Sequence, residues 1–299
     1  MSMEVIDGAG LRVDRPPPAA AVCVLLPPSA AERVVAAAVW LDADTTTVEH
    51  ALASTHRRPL AYVEGGRISV IVFTISDPDA ILEMHLHVGT RGLLVVCPQQ
   101  VMPAVSDLIS RVDGGPEDAL IAVLSSCADD STATVQRHAD EAVRLDQTRV
   151  GLASGAVRRT ISHLRHRLFT LQQLWTAHHL LCAPDGVLAD ALDRSLGEAG
   201  RRRLRYAGAL FESSGAAAAQ LYALLGDTLS RQSAAISERL TLVTVIFLPL
   251  TVISGFFGMN FGWMTRHIGS AATFVVLGIV LPLALVAVTV AGARRASGE

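Results

Sequence analysis

The sequence predicts an α+β cytosolic domain followed by long helical arms and a stalk, with two C-terminal transmembrane helices. Three observations predict this class. Apolar runs of strand length, separated by proline and glycine turns, fill residues 20–115. Long patterns with helical spacing follow, and two uncharged segments of 26 residues end the chain, Leu240–Thr265 and Ile268–Ala293. A 26-residue helix is about 39 Å long, enough to cross a hydrocarbon core of about 30 Å.

The charge balance, the first residues and the cysteines limit the class of protein that this sequence can encode. The chain has 28 acidic and 25 basic residues and a net charge of -3, which argues against a dedicated nucleic-acid partner. The segment Met1–Arg15 has no apolar run, so we expect no signal peptide and a flexible lead over residues 1–19. Four widely spaced cysteines without a C-x-x-C pair predict reduced, buried thiols; they are Cys23, Cys97, Cys127 and Cys182.

Residues 20–115 predict a mixed sheet with helices packed on it. The apolar runs that predict strands are Ala21–Leu26, Ile68–Ile75, Ile81–Val88 and Leu93–Val96, the last two close enough to form a hairpin. Helical patterns lie around Thr46–Ser54 and over Gln99–Val112. His85 and His87 alternate on a predicted strand and face one side, as a metal-binding pair could. With no third ligand in view, we expect them on the sheet surface.

From Pro116 onward the strand patterns end, and residues 116–200 predict a helical arm region. One helix is expected from about Ser131 through Cys182, with His178 and His179 near its end, where the helix dipole favours a cationic imidazole.

A second long helix is expected to begin near Arg201, and it meets no proline before Pro249. The stalk, residues 201–239, and the first span should therefore be one helix, about 85 Å long if it ends at Phe257. Such a helix is not stable alone and must pack on copies of itself or on the preceding helix, which predicts oligomerisation.

One face of this helix is small and polar. Alternating steps of three and four residues back from Gly258 give Gly255, Thr251, Leu248, Thr244, Thr241, Ser237, Ala234, Ser230 and Asp227. This stripe fits a pore lining, with hydroxyl groups facing a hydrated ion and Leu248 as a dry constriction. It fits equally well the close packing of small residues between membrane helices. The stripe alone leaves both interpretations open.

The basic residues next to the two spans predict the orientation. Arg231 and Arg239 precede the first span, Arg294 and Arg295 follow the second, and the connection between them has only Arg266. Because positive residues favour the cytosolic side, we expect a multi-pass protein of the cell membrane with both termini in the cytosol. The hairpin then covers residues 240–293, and residues 294–299 form a cytosolic tail.

The segment PLTVISGFFGMNFG, from Pro249 to Gly262, resembles the CorA family of divalent-cation channels, whose mark is Gly-Met-Asn at the end of the first of two C-terminal spans. Pro249, Thr251 and Gly255 match the family's pore helix in type and spacing. The resemblance implies a homopentamer that mediates influx of Mg²⁺ or Co²⁺. It favours Leu240 over Thr241 on the axis, and the implied pore lining is Ser237, Leu240, Thr244, Leu248, Thr251 and Gly255.

The implied selectivity filter is Gly258, Met259 and Asn260. Mg²⁺ dehydrates reluctantly, so neutral amide and carbonyl oxygens suit a hydrated ion better than carboxylates, which would slow its exit. The resemblance also implies regulation by Mg²⁺ bound between cytosolic domains, and the candidate ligands are Asp227, Asp77, Asp79 and Glu83. Since the sequence has no phosphate loop, nucleophile elbow or H-E-x-x-H motif, we expect neither an enzyme nor a catalytic cofactor.

Two departures from the family pattern keep alternatives open. The connection Phe261–His267 contains no carboxylate, and the usual lysine-rich end is reduced to Arg294 and Arg295. Both leave room for the ZntB-like branch, in which Zn²⁺ import is coupled to protons. A further alternative is a membrane-anchored sensor or scaffold without transport. The expected partners are divalent cations, the lipid bilayer and further copies of the chain.

Overall fold

The computed structural model describes residues 3–7, 22–76, 80–147, 155–193, 195–258, 270, 272 and 275–296. The chain divides into two compact units. The first contains Met1–Gln147 and Arg159–Gly226, and the second contains Thr148–Arg158 and Asp227–Glu299.

A six-stranded mixed sheet forms the centre of the first unit. Its strands are β1 (Glu4–Asp7), β2 (Val22–Leu26), β3 (Leu60–Glu64), β4 (Arg67–Ser76), β5 (Ala80–Val88) and β6 (Gly92–Val96). Their order is β1-β2-β6-β5-β4-β3. The pairs β1–β2 and β2–β6 are parallel, whereas β3 to β6 pair antiparallel. The mixed sheet and the hairpin of its last two strands confirm the prediction.

Two edge strands were not predicted. The strand Glu4–Asp7 lies inside the segment expected to be a flexible lead, so that prediction is wrong for these four residues. It pairs in parallel with β2, with Val5 opposite Cys23. The other strand, β3, pairs with β4 and is largely exposed. Both gain their conformation from a neighbouring strand's unpaired N–H and C=O groups rather than from a long apolar pattern of their own.

Helices cover both faces of the sheet. On one face, α1 (Ala31–Leu41) and α2 (Thr45–Ala53) pack against alternate strand residues; the cluster contains Val22, Val24, Leu26, Val34, Val48, Leu94 and Val96. On the other face lie α3 (Met102–Ser110) and α4 (Pro116–Asp146), where Val105 and Val123 share a cavity of about 270 Å³ with Thr74 and Met84. Successive strand residues point to opposite faces, so each face has its own apolar set.

The predicted helix from Ser131 through Cys182 is in fact two helices. The first, α4, ends at Asp146, and the next, α5, covers Gly155–Cys182. Gln147 caps the end of α4 with its backbone N–H, and residues 148–154 lie outside the described residues. A short helix, α6 (Val187–Leu192), follows α5.

The seventh helix, α7, runs from Glu198 to Gly258 and contains 61 residues. The prediction that one helix runs through residues 201–257 is therefore confirmed. Buried residues recur at alternating steps of three and four on α5 and α7, the spacing of coiled-coil packing. On α5 they are Ile161, Leu164, Leu168, Leu171, Trp175, His178 and Cys182, and on α7 they are Leu204, Ala207, Phe211, Ser214 and Ala218.

The described C-terminal part contains a π-helical turn, Val276–Val280, and α8, Leu281–Ala296. Among the described residues, α7 is the helix that is long and apolar enough to cross a membrane, and the apolar segment Gly278–Val288 is shorter than a span. The second span stays a prediction. Arg294 and Arg295, expected in a tail, lie within α8.

All four cysteines are free and buried, which confirms the prediction. Burial raises the pKa of Cys97, Cys127 and Cys182 to about 12, and it raises the pKa of Cys23 still further. These thiols are therefore protonated at neutral pH and serve as small apolar side chains of the core.

Candidate functional site

The predicted pore-lining positions lie on one face of α7. At about 100° per residue they occupy an arc of about 80°; they are Ser237, Leu240, Thr244, Leu248, Thr251 and Gly255. All six are exposed in the single chain, with Leu240 63% and Leu248 62% accessible. This face is therefore available to water, lipid or another chain.

The threonine hydroxyls on this face use their protons within the helix. Thr244 donates to the carbonyl of Leu240 at 2.9 Å, and Thr251 donates to the carbonyl of Phe247 at 2.8 Å. Each hydroxyl oxygen keeps its lone pairs, so it can accept hydrogen bonds from the water shell of a cation. Ser254, outside the stripe, makes the same bond to Leu250 at 2.7 Å. The hydrogen bond alone therefore does not distinguish a pore lining from helix packing.

Burial separates two faces of α7 just before the apolar segment. Leu225, Thr228 and Gln232 are buried, whereas Ser230, Ala234 and Ser237 are exposed. The two sets lie roughly 180° apart at about 100° per residue. The small, polar stripe thus continues the face that the chain leaves open.

The Gly-Met-Asn motif begins where α7 ends. Gly258 is the last residue of the helix, whereas Met259 and Asn260 lie outside the described residues, as does the connection Phe261–His267. The final carbonyl groups of a helix lack intrahelical partners and form the negative end of its dipole. A cation at this end would meet favourable backbone oxygens.

The four predicted regulatory ligands have different environments. Asp227 is exposed on α7, and Asp77 and Asp79 lie outside the described residues. Glu83 is half-buried on β5, where its carboxylate forms hydrogen bonds with two histidines, His56 and His85.

His85 and His87 are buried, with 6% and 0% of their surface exposed, so the prediction that they lie on the sheet surface is wrong. Their face of the sheet is the one that α1 and α2 cover. The two histidines do not act as a pair, because His87 forms a hydrogen bond with Ser69 whereas His85 forms one with Glu83. His56, in the connection from α2 to β3, contacts the same carboxylate. The alternation of Glu83 and His85 was visible in the sequence, but no local pattern indicated His56.

Burial also decides the charge of these histidines. It is the largest cause of the lowered pKa of His85 and lowers the pKa of His87 to about 3, with His85 adding to the effect on His87. His178, expected to be cationic at the end of α5, is fully buried, which lowers its pKa to about 4. At neutral pH its ring is therefore uncharged, because the loss of hydration outweighs the helix dipole.

The chain is similar to known proteins over most of its length. The chain matches, over residues 38–295, a family model described as CorA-like Mg2+ transporter protein. It resembles the complete structure of the CorA magnesium transporter from Methanocaldococcus jannaschii with a TM-score of 0.63 and 15% identity, covering 91% of this chain and 90% of that one. It resembles full-length CmaX with a TM-score of 0.55 and 14% identity, covering 93% and 89%.

The cytoplasmic domain of ZntB from Vibrio parahaemolyticus matches with a TM-score of 0.50 and 12% identity, covering 67% of this chain and 83% of that one. A comparison with curated proteins gave no match. At these identities the solved structures demonstrate a shared fold.

Proposed function

Because this chain belongs to the CorA-like Mg2+ transporter family, we propose that it is a homopentameric channel that carries Mg²⁺ or Co²⁺ into the cytosol. The chain has the fold of the family's divalent-cation transporters. One observation carries the proposal: α7 is unbroken from Glu198 to Gly258, so a single helix connects the polar stripe to the first residue of Gly-Met-Asn.

In the proposed pore, five copies of α7 surround an axis and turn their stripes towards it. Thr244 and Thr251 offer hydroxyl oxygens to a hydrated ion, and Leu248 forms an apolar constriction. The membrane potential contributes about 2.3 kcal/mol per charge at 100 mV, hence about 4.6 kcal/mol for a divalent ion moving inward. No other energy source is required for uptake.

The proposed filter is Gly258, Met259 and Asn260 from each of five chains. Amide and carbonyl oxygens hold a hydrated cation without the tight binding of carboxylates. Mg²⁺ is the proposed cargo and also the proposed regulatory ion, with Asp227, Asp77, Asp79 and Glu83 as candidate ligands.

A ZntB-like Zn²⁺ transporter coupled to protons is the second candidate. Two observations support it: the fold similarity to the ZntB cytoplasmic domain, and a connection after Asn260 without a carboxylate. Weak electrostatic attraction at the mouth would favour an ion that binds through more specific contacts than Mg²⁺ does.

The deciding experiment is flux through the full-length protein in liposomes. Mg²⁺, Co²⁺, Ni²⁺ and Zn²⁺ are each tested with and without a proton gradient. We expect Mg²⁺ or Co²⁺ uptake that does not depend on the proton gradient. This uptake should disappear in Asn260→Ala, while native mass spectrometry of the variant still detects a pentamer. Uptake of Zn²⁺ that requires the gradient would favour the second candidate, and unchanged flux in Asn260→Ala would exclude the proposed filter.

A further inference from the structure

Three side chains with metal-binding groups meet in the first unit, Met1–Gln147 and Arg159–Gly226, which we name the sheet unit. Glu83 and His85 stand two residues apart on β5 and share a face, and His56 approaches from the connection between α2 and β3. His56 Nδ1 lies 2.6 Å and His85 Nε2 lies 2.8 Å from the same carboxylate oxygen, Glu83 Oε1. One potential ligand atom from each residue lies within 4.8 Å of the other two.

The surroundings hold the two rings but leave the carboxylate accessible. The side chains of His56 and His85 are only 7% and 8% exposed, whereas Glu83 is 25% exposed. The rings also contact each other edge to face, with centroids 5.7 Å apart. Restricted rings reduce the entropy lost on binding, and the exposed edge of Glu83 gives an ion a path from solvent.

The protonation of His85 and the charge of Glu83 favour the binding of a cation. Burial lowers the pKa of His85, so this imidazole is neutral at pH 7. Its Nε2 donates a hydrogen to Glu83, so an ion binds at Nε2 when the ring hydrogen stands on Nδ1 instead, an atom with no hydrogen-bond partner among the described residues. Glu83 is a half-buried carboxylate whose hydrogen-bond partners in the described part of the chain are the two imidazoles. Such a group needs a compensating positive charge, which a proton or a metal ion can supply.

We propose that His56, Glu83 and His85 bind a divalent transition-metal ion of the Zn²⁺ class. Two imidazole nitrogens and one carboxylate oxygen form a ligand set that suits Zn²⁺, Co²⁺ or Ni²⁺. Mg²⁺ prefers six oxygen ligands, so the same set discriminates against it.

The geometry suits an exchangeable ion. A tetrahedral ion about 2.05 Å from its ligands places them roughly 3.3 Å apart. Each imidazole nitrogen, now 2.6 or 2.8 Å from Glu83 Oε1, would move away from that oxygen by roughly 0.5–0.7 Å, and no pair of ligand atoms would need to approach by more than about 1.5 Å. Rotation of the Glu83 carboxyl group, which is only partly buried, can supply much of this change. Three protein ligands leave the fourth position to water, which permits exchange.

The proposed site uses residues outside the proposed pore lining, and binding there does not require transport. An ion would connect β5 to the segment between α2 and β3, 27 residues away along the chain. It would also remove Glu83 from the set available for Mg²⁺ regulation. The sheet unit would then respond to cytosolic transition metals separately from the transported ion.

The first test measures Zn²⁺ binding to the full-length protein after treatment with a chelator, in excess Mg²⁺, by competition with a chromogenic chelator. We expect the wild type to bind one more Zn²⁺ per chain than either Glu83→Gln or His56→Gln. Loss of a direct ligand should weaken this site by at least about 100-fold, since even an outer partner is worth about 10- to 100-fold. The matched controls Glu49→Gln and His50→Gln change exposed residues of α2 and should bind like the wild type.

The second test identifies the ligands without any substitution. X-ray absorption of the wild type loaded with one Zn²⁺ per chain should show a nitrogen and oxygen shell that includes two imidazoles. Equal stoichiometry and affinity in wild type and Glu83→Gln, or an absorption spectrum without imidazole scattering, would overturn the proposal. A flux defect in Asn260→Ala would bear only on the channel.

Discussion

The imidazole of His178 in α5 lies almost flat against the phenyl ring of Phe211 in α7, with centroids 4.6 Å apart and planes inclined by 15°. The same imidazole donates from Nδ1 to the carbonyl of Leu174 at 3.0 Å and accepts at Nε2 from the N–H of Phe73 at 3.1 Å. One neutral ring thus connects both long helices to strand β4. Because both ring nitrogens are used, a second proton would break the bond to Phe73.

Acid should therefore weaken the sheet unit through His178. Its folded pKa of about 4 lies below the unfolded value of about 6.5, so the unfolded chain binds the proton first. Stability is fully present above pH 6.5 and falls as the pH drops towards 4, by up to about 1.4 kcal/mol per pH unit for this group. Thermal unfolding midpoints of the full-length protein from pH 7 to 4 measure the slope. The variant His178→Gln should retain only the slope of the other groups, His87 among them, and an unaltered slope would contradict the assignment.

The Phe211 ring should be essential for packing α5 against α7. It is fully buried, so Phe211→Ala leaves a cavity and should lower the free energy of unfolding by about 3–5 kcal/mol. Tyr206 lies on the same helix but is 60% exposed, so Tyr206→Ala should change stability by no more than about 0.5 kcal/mol. Chemical denaturation of the two variants in parallel provides the comparison. Similar losses in both would mean that the ring stack contributes little.

The hydroxyl of Thr251 should contribute to ion conduction. Thr251→Val keeps the shape of the side chain and removes its oxygen. Losing one hydrogen bond to a hydrated ion costs about 1 kcal/mol, so uptake in liposomes should fall about fivefold. Ser254→Ala removes a hydroxyl with the same intrahelical bond, but about 80° from the middle of the stripe. This control should keep wild-type flux. Equal defects in both variants would favour helix packing over a pore lining.

The apolar side chain of Leu248 should restrict the resting channel. Replacing it by a hydroxylated residue in Leu248→Thr wets the constriction and should raise uptake when internal Mg²⁺ is high. Val243 is also apolar and exposed, at 51%, but lies about 100° from the middle of the stripe. Val243→Thr is therefore the control and should leave the closed state unchanged. The leak of Mg²⁺ into liposomes, followed with a fluorescent indicator, is measured for both variants. A leak in Val243→Thr alone would place the pore axis on another face of α7.

The sequence predicted best those elements whose ends are set by local chemistry. The strands β4, β5 and β6 begin and end within one residue of the predicted runs, because Gly65-Gly66 and Gly89 lie at their borders. The unbroken α7 followed from the lack of proline before Pro249. The strand β1 was missed because Val5 and Ile6 are adjacent and do not alternate with polar residues. The helix α1 was missed although Val34, Ala37, Ala38 and Leu41 stand at helical spacing.

The candidate ion path depends on the same kind of local information. The spacing from Ser237 to Gly258 places the small and polar residues on one helix face in any α-helix. The sequence could not identify the histidine environment, however, because His56 reaches Glu83 across 27 residues and His178 reaches Phe73 across 105.

The sequence by itself determined the central strands β4 to β6, the polar face of the long helix and the position of Gly258 at its end, since periodicity and turn residues act over a few neighbours. Only the tertiary structure decided that His85, His87 and His178 are buried and that His56, Glu83 and His85 meet. Burial and long-range contact depend on which helix covers which face of the sheet, and this choice reflects the packing of the whole unit rather than any single segment.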